Sequence, residues 1–136
     1  MVALVLVGHS AELLRGLRAM LAQVAPAVLV GVAGGTDVGA LGTSAPMILA
    51  AVRGVLAEAP DGAVVLLDLG SAALALEMAL DDLVPADRAR VRVSRGALVE
   101  GAVRAAVEAA GGGPLNAVLA ASEVPPGHDK LPDDWP

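Results

Sequence analysis

The chain has 136 residues, with nine Lys or Arg against fifteen Asp or Glu, for a net charge of −6 with both histidines neutral. This balance offers no basic surface for following a nucleic-acid backbone, and a single aromatic residue leaves little to stack on bases. The absence of cysteine excludes a disulfide framework and a thiolate metal cluster, while 56% apolar residues suffice for the core of one domain.

Residues 2–7 form an unbroken apolar run, as expected of a strand buried on both faces of a parallel sheet. The run is too short to span a membrane and no basic region precedes it, so a soluble cytoplasmic protein without nucleic-acid or membrane partners is expected. Ser10 can cap a first helix, whose apolar positions are Leu13, Leu14, Leu17, Met20, Leu21 and Val24. Met20, Met47 and Met78 read as packing residues. Pro26 closes that helix and introduces a second strand over residues 27–32. A Gly-rich loop follows over 33–42, and Thr43 or Ser44 can then cap a second helix with Pro46 in its first turn. Ile48, Leu49, Val52, Val55 and Leu56 form the buried stripe of that helix.

Residues 63–67 predict another buried strand, ending at Asp68. A third helix is expected from Gly70 and Ser71 through about Asp82, with Leu74, Met78 and Ala79 among its apolar residues. Pro85 breaks the chain before a short strand over 90–93, whose alternating arginines suit a sheet edge. A last long helix over 98–110 turns Leu98, Val99, Ala102, Val103 and Ala106 inward, with Glu100, Arg104 and Glu108 as a charged ladder outside. Residues 115–121 suggest one more short element, so the domain is expected over 1–121 and a loose polar tail over 122–136. His128, in that tail, is expected to be exposed and inert.

The alternation of strands and helices predicts an α/β fold, an open and mainly parallel sheet with helices on both faces. Sites in such sheets form beyond the C-terminal strand ends. His9, the 33–42 loop and Asp68 all lie at such ends, so three separate segments can meet in one crevice. An imidazole there suits reversible phosphoryl transfer, because one nitrogen attacks while the other holds a proton. Asp68 can take that proton's hydrogen bond if the first and third strands are neighbours. Gly34, Gly35, Gly39 and Gly42 permit tight turns and close approach of a phosphate, while Thr43 and Ser44 open a helix that can cradle one. Ser10 and Thr36 are further phosphate-binding candidates, and Asp37 shapes the loop or meets a partner. No metal site is expected, and the chain has no Gly-x-x-x-x-Gly-Lys-Thr/Ser loop for a nucleotide of its own.

The stretches Gly8-His9-Ser10, Gly34-Gly35-Thr36-Asp37, Gly42-Thr43-Ser44, Asp68-Leu69-Gly70-Ser71 and Leu98-Val99-Glu100-Gly101 together resemble the phosphocarrier subunits of phosphoenolpyruvate-dependent dihydroxyacetone kinases. These belong to the mannose-type enzyme IIA fold family, and the likeness spans about residues 2–111. The resemblance implies that His9 receives phosphoryl from the histidine phosphocarrier protein of the phosphotransferase system, through Nε2. It implies transfer to ADP held on the nucleotide-binding kinase subunit (DhaL), whose ATP then serves dihydroxyacetone on the substrate-binding subunit (DhaK). No cofactor is bound directly: the phosphohistidine is the intermediate, and ADP and ATP stay on the partner. A homodimer is implied as well, with separate proteins supplying phosphate. Ala97 stands where this family often has proline, and Val38 where it often has a second acidic residue. A sugar-transport enzyme IIA component and a regulatory binding protein that does not turn over are the alternatives.

Overall fold

A computed structural model describes residues 1–125 and 130–136; His128 lies outside the described residues. Four strands, β1 (Ala3–Gly8), β2 (Val30–Gly34), β3 (Ala63–Leu67) and β4 (Val91–Val93), form one parallel sheet in the order β2-β1-β3-β4. The expected α/β architecture is therefore present, with β1 and β3 adjacent at the centre and β4 at an edge. The alternation of side chains across β1 divides the core. Ala3, Val5 and Val7 face α2 (Ala45–Glu58) and α3 (Ala73–Asp81), whereas Leu4 and Leu6 face α1 (Ala11–Val24), α5 (Leu98–Ala110) and α6 (Leu115–Glu123).

The second face shows why Val99, expected inward on α5, is turned outward while Leu98, Ala102, Val103 and Ala106 meet the core. Leu4, Leu6 and Leu66 project from the sheet, so α5 packs against them with Gly101, Ala102, Ala105, Ala106 and Ala109. Val99 and Val107 are turned outward, with Leu98 and Val103 only partly buried. Within the charged ladder the direct contacts go elsewhere: Glu100 pairs with Lys130 and Arg104 donates to the Val124 carbonyl, while the charge of Arg104 still acts on Glu100. On α1 the buried stripe is narrower than expected, Leu14, Leu17 and Leu21, with Leu13, Met20 and Val24 about half exposed.

On α3, Leu76, Ala79 and Leu80 are buried while Leu74 and Met78 are exposed. That helix is entered through a 3-10 turn at Gly70–Ala72, which sets its phase. Pro85 opens a four-residue helix, α4 (Pro85–Arg88), in place of a plain break; the lost N–H costs nothing at a first helical position. Strand β2 begins and ends later than expected because residues 25–28 close a turn and Gly34 pairs with Gly8 at the sheet's end.

Helix α6 runs past residue 121 to Glu123. Ser122 is buried there, its Oγ 2.7 Å from Ser94 Oγ and 2.6 Å from the Leu119 carbonyl. Polar partners on both sides hold the last turn of α6 against the loop after β4. Among the described residues no helix is long and apolar enough to cross a membrane.

Candidate functional site

His9 follows β1 directly, and its main chain is fixed from two directions. Its N–H donates to Asp68 Oδ2 at 2.9 Å, and its carbonyl accepts the Gly42 N–H at 3.0 Å. The first contact comes from the end of β3, the second from the loop after β2. Asp68 reaches across because Gly8 has no side chain: a Cβ there would sit 2.7 Å from Asp68 Cγ and Oδ2.

The ring is oriented by the same carboxylate. His9 Nδ1 lies 3.1 Å from both Asp68 oxygens, and Leu69 N–H donates to Oδ1 at 2.6 Å. Burial is the largest influence on Asp68 and pushes its carboxyl up. The His9 main-chain N–H, the His9 ring, the Leu69 N–H and, when the ring is protonated, its charge together outweigh it, holding Asp68 below its ordinary value. An ionised carboxylate only accepts, so Nδ1 carries the proton and the Nε2 lone pair faces outward. The Asp68 side chain is 9% exposed and that of His9 29%, so the anchor is shielded while the ring's outer edge stays accessible.

Nε2 is 3.2 Å from Ser71 Oγ, which can donate its proton to the lone pair. Sequence reasoning did not select Ser71 as a site residue. Its signal was present in the Asp68-Leu69-Gly70-Ser71 stretch, but the 3-10 turn that swings the hydroxyl onto the ring is not visible in spacing. Gly70 and Ser71 also open that turn, where N–H groups lack intrahelical acceptors.

The other candidates lie around this core. Gly35 N–H donates to the Gly8 carbonyl, and Thr36 Oγ1 accepts the Ala40 N–H at 3.1 Å, bracing the loop across itself. Gly35 has φ +78°, a left-handed conformation that favours glycine, and a Cβ there would sit 3.0 Å from the Ala40 carbonyl. Ser44 caps α2 through the Met47 N–H, and Ser10 caps α1 through the Leu13 N–H. Thr43 is half-buried beside Gly42, and Asp37 is exposed at the loop's crest. The His9 ring is thus joined to Asp68 and Ser71, while Ser10, Thr36 and Ser44 use their hydroxyl oxygens on main-chain N–H groups. Among the described residues no group of three or more His, Asp or Glu is arranged to hold a metal ion.

Fold and site together define a parallel α/β protein that presents one carboxylate-anchored histidine at the C-terminal end of its central strand. The family model for the PTS system fructose IIA component matches residues 3–119. The chain is 37% identical over 123 residues to the phosphoryl donor subunit DhaM of the PEP-dependent dihydroxyacetone kinase of Escherichia coli (strain K12). It is 39% identical to the corresponding subunit of Klebsiella michiganensis and 36% identical to that of Pantoea ananatis. Each alignment covers 88% of this chain, which spans about a quarter (26%) of each relative's length. The crystal structure of the unknown-function protein EF1359 superposes with a TM-score of 0.80 at 29% identity, over 95% of this chain and 100% of that one. The chain belongs to this family of mannose- and fructose-type enzyme IIA proteins of the phosphotransferase system.

Proposed function

We propose that the protein is a phosphohistidine carrier that relays phosphoryl from the histidine phosphocarrier protein to ADP bound on a dihydroxyacetone kinase nucleotide-binding subunit. The observation that carries this reading is the division of labour on one ring, with Nδ1 anchored by Asp68 and Nε2 turned outward beside Ser71. In the loading step the Nε2 lone pair forms a bond to phosphorus, and the donor histidine leaves with its electron pair. Nδ1 keeps its proton, and Asp68 balances the positive charge the ring develops. Ser71 turns its hydroxyl from the lone pair toward a phosphoryl oxygen, assisted by the N–H groups that open the 3-10 turn. In discharge an oxygen of the acceptor displaces Nε2 and the ring returns to its starting state.

Ser10, Gly35, Thr36, Gly42, Thr43 and Ser44 then act chiefly by fixing the shape of the pocket wall, and Asp37 meets a partner at its rim. The reading is supported by similarity to phosphoryl donor subunits and by the position of His9 in the family fold. The carrier acts as a homodimer in the cytoplasm, upstream of the subunit that holds dihydroxyacetone.

The test is phosphorylation of wild type and His9→Ala by phosphoenolpyruvate, enzyme I and the histidine phosphocarrier, followed by addition of the ADP-loaded kinase subunit. Acid-labile phosphate on wild type alone, then ATP, is the expected result. Label on both proteins removes His9 from the reaction. A fructose-type role is a second reading, favoured by the description of the matching family model; loading of His9 without ATP formation, and discharge to a sugar-system domain, would select it.

A further inference from the structure

A cleft of about 460 Å³ opens at Asp68, the anchor of His9, between the ends of β3 and β4. Asp68 and Leu69 form one wall, and Ser94, Arg95 and Gly96 form the other. The second wall is immobilised. Arg95 N–H donates to Glu123 Oε2 at 3.3 Å, Gly96 N–H donates to Ser94 Oγ at 3.0 Å, and Ser94 Oγ meets buried Ser122. A Cβ on Gly96 would stand 2.0 Å from the Ser122 carbonyl, so this loop is seated directly on α6.

The Arg95 side chain is exposed, and its guanidinium has no partner among the described residues. Its position is unlike that of the other cations. Arg15 and Arg18 flank the start of β2, Lys130 is paired with Glu100, and the other five arginines donate to main-chain carbonyls. Arg95 is therefore the unpaired lysine or arginine of the cleft beside the ionised Asp68, in a chain whose net charge is −6.

We propose that Arg95 holds the acceptor's non-transferring phosphate during discharge of His9, an inference that rests on the phosphocarrier reading. The electrostatic need is specific to discharge. A donor histidine delivers one phosphoryl group and brings no other phosphate. A nucleoside diphosphate brings two phosphates toward a phosphohistidine that is itself anionic and lies beside Asp68. As the terminal phosphate oxygen bonds to phosphorus and the P–Nε2 bond breaks with its electrons returning to the ring, the next phosphate must lie to one side of Nε2. Arg95 is two strands and, by the sheet register, two residues away from His9, about 12 Å at the backbone. An extended arginine crosses about half of that gap, leaving room for a phosphate between, and its fork matches two phosphate oxygens. No proton moves through Arg95.

The experiment measures both half-reactions on wild type, Arg95→Gln and Arg95→Lys. Loading by the histidine phosphocarrier is followed by intact mass, and discharge by ATP formation on the ADP-loaded kinase subunit at sub-saturating concentration. For Arg95→Gln the ratio of discharge to loading is expected to fall about tenfold or more, the worth of one charge-assisted hydrogen bond, with a weaker salt dependence. Arg95→Lys recovers part of the loss. Discharge at the wild-type rate in Arg95→Gln, or loading and discharge falling in parallel, overturns the assignment to the acceptor. If wild type loads and forms no ATP, the reading of ADP as the acceptor fails and the assignment falls with it; the wild-type control separates the two failures.

Discussion

Alanine at position 8 tests how closely the site depends on an absent side chain. The added Cβ would lie 2.7 Å from Asp68 Cγ and Oδ2 and 3.1 Å from Oδ1. Carbon atoms rest at about 3.5–4.0 Å, so the overlap approaches 1 Å. Asp68 cannot retreat with its main chain, because its N–H donates to the Val7 carbonyl at 3.1 Å within the β1–β3 pairing. The side chain must therefore swing, losing the His9 and Leu69 N–H groups and the His9 ring together. Overpacking of this kind costs about 1–3 kcal/mol, and each hydrogen bond to a charged group is worth about 1.5–3 kcal/mol. We expect a stability loss of about 2–4 kcal/mol in urea titrations, and loading of His9 slowed by about 10–100-fold in quench-flow. Nitrogen-15 spectra of the imidazole should show loss of the single Nδ1–H tautomer. Combining Gly8→Ala with Asp68→Ala should be less damaging than the sum of the two changes, because the clash has no partner left. Wild-type loading and an unchanged urea midpoint in Gly8→Ala would refute this account.

Asp68→Asn should slow loading by about a hundredfold or more, since an amide can donate to Nδ1 and move the ring proton to Nε2. Because the folded carboxyl lies below its ordinary value of 3.8, its stabilising contribution is complete above that value and is lost as pH falls through the lower folded one. The stability gap between wild type and Asp68→Asn should accordingly narrow on acidification below pH 4; a gap independent of pH would contradict the hydrogen-bond scheme. Ser71→Ala should slow transfer by less than about tenfold, the worth of one neutral hydrogen bond, and a loss beyond a hundredfold at unchanged stability would give the hydroxyl a part in proton movement. Gly54→Ala, on an open face of α2 with no atom within 4 Å of the new Cβ, should raise stability by about 0.5–1 kcal/mol without altering transfer. A fall in its urea midpoint would mean that this helix face is covered in solution.

The sequence was most readable where burial is total. Residues 63–67 and 98–110 are bounded as their patterns predicted, and the uninterrupted β1 run identifies the central strand. The His9–Asp68 pairing followed from the same signal, since two such runs belong side by side at the centre of a parallel sheet. Helix phase was harder. In α3 nearly every residue is apolar, so periodicity had little contrast, and the preceding 3-10 turn decided which side faces the core. In α5 the inward expectation fails at Val99 alone, because the leucines of the sheet leave room at the centre of the contact chiefly for alanine and glycine, with Leu98 and Val103 at its margin. Ser71 was lost for a related reason: its value lies in one turn's geometry, not in residue type. The cap at Ser44 and the brace at Thr36 are local bonds, which sequence can suggest but cannot separate from contacts to a bound phosphate.

The grip on His9 from both Asp68 and Gly42 makes its imidazole a fixed post and not the tip of a swinging arm. A fixed post can be visited by one partner at a time. On the proposed relay, donor and acceptor would occupy the same ground in turn, so the cycle would be ping-pong and each partner in excess would compete with the other. Tight binding by either one would then slow the whole cycle, and selection on such a carrier favours brief encounters over strong ones.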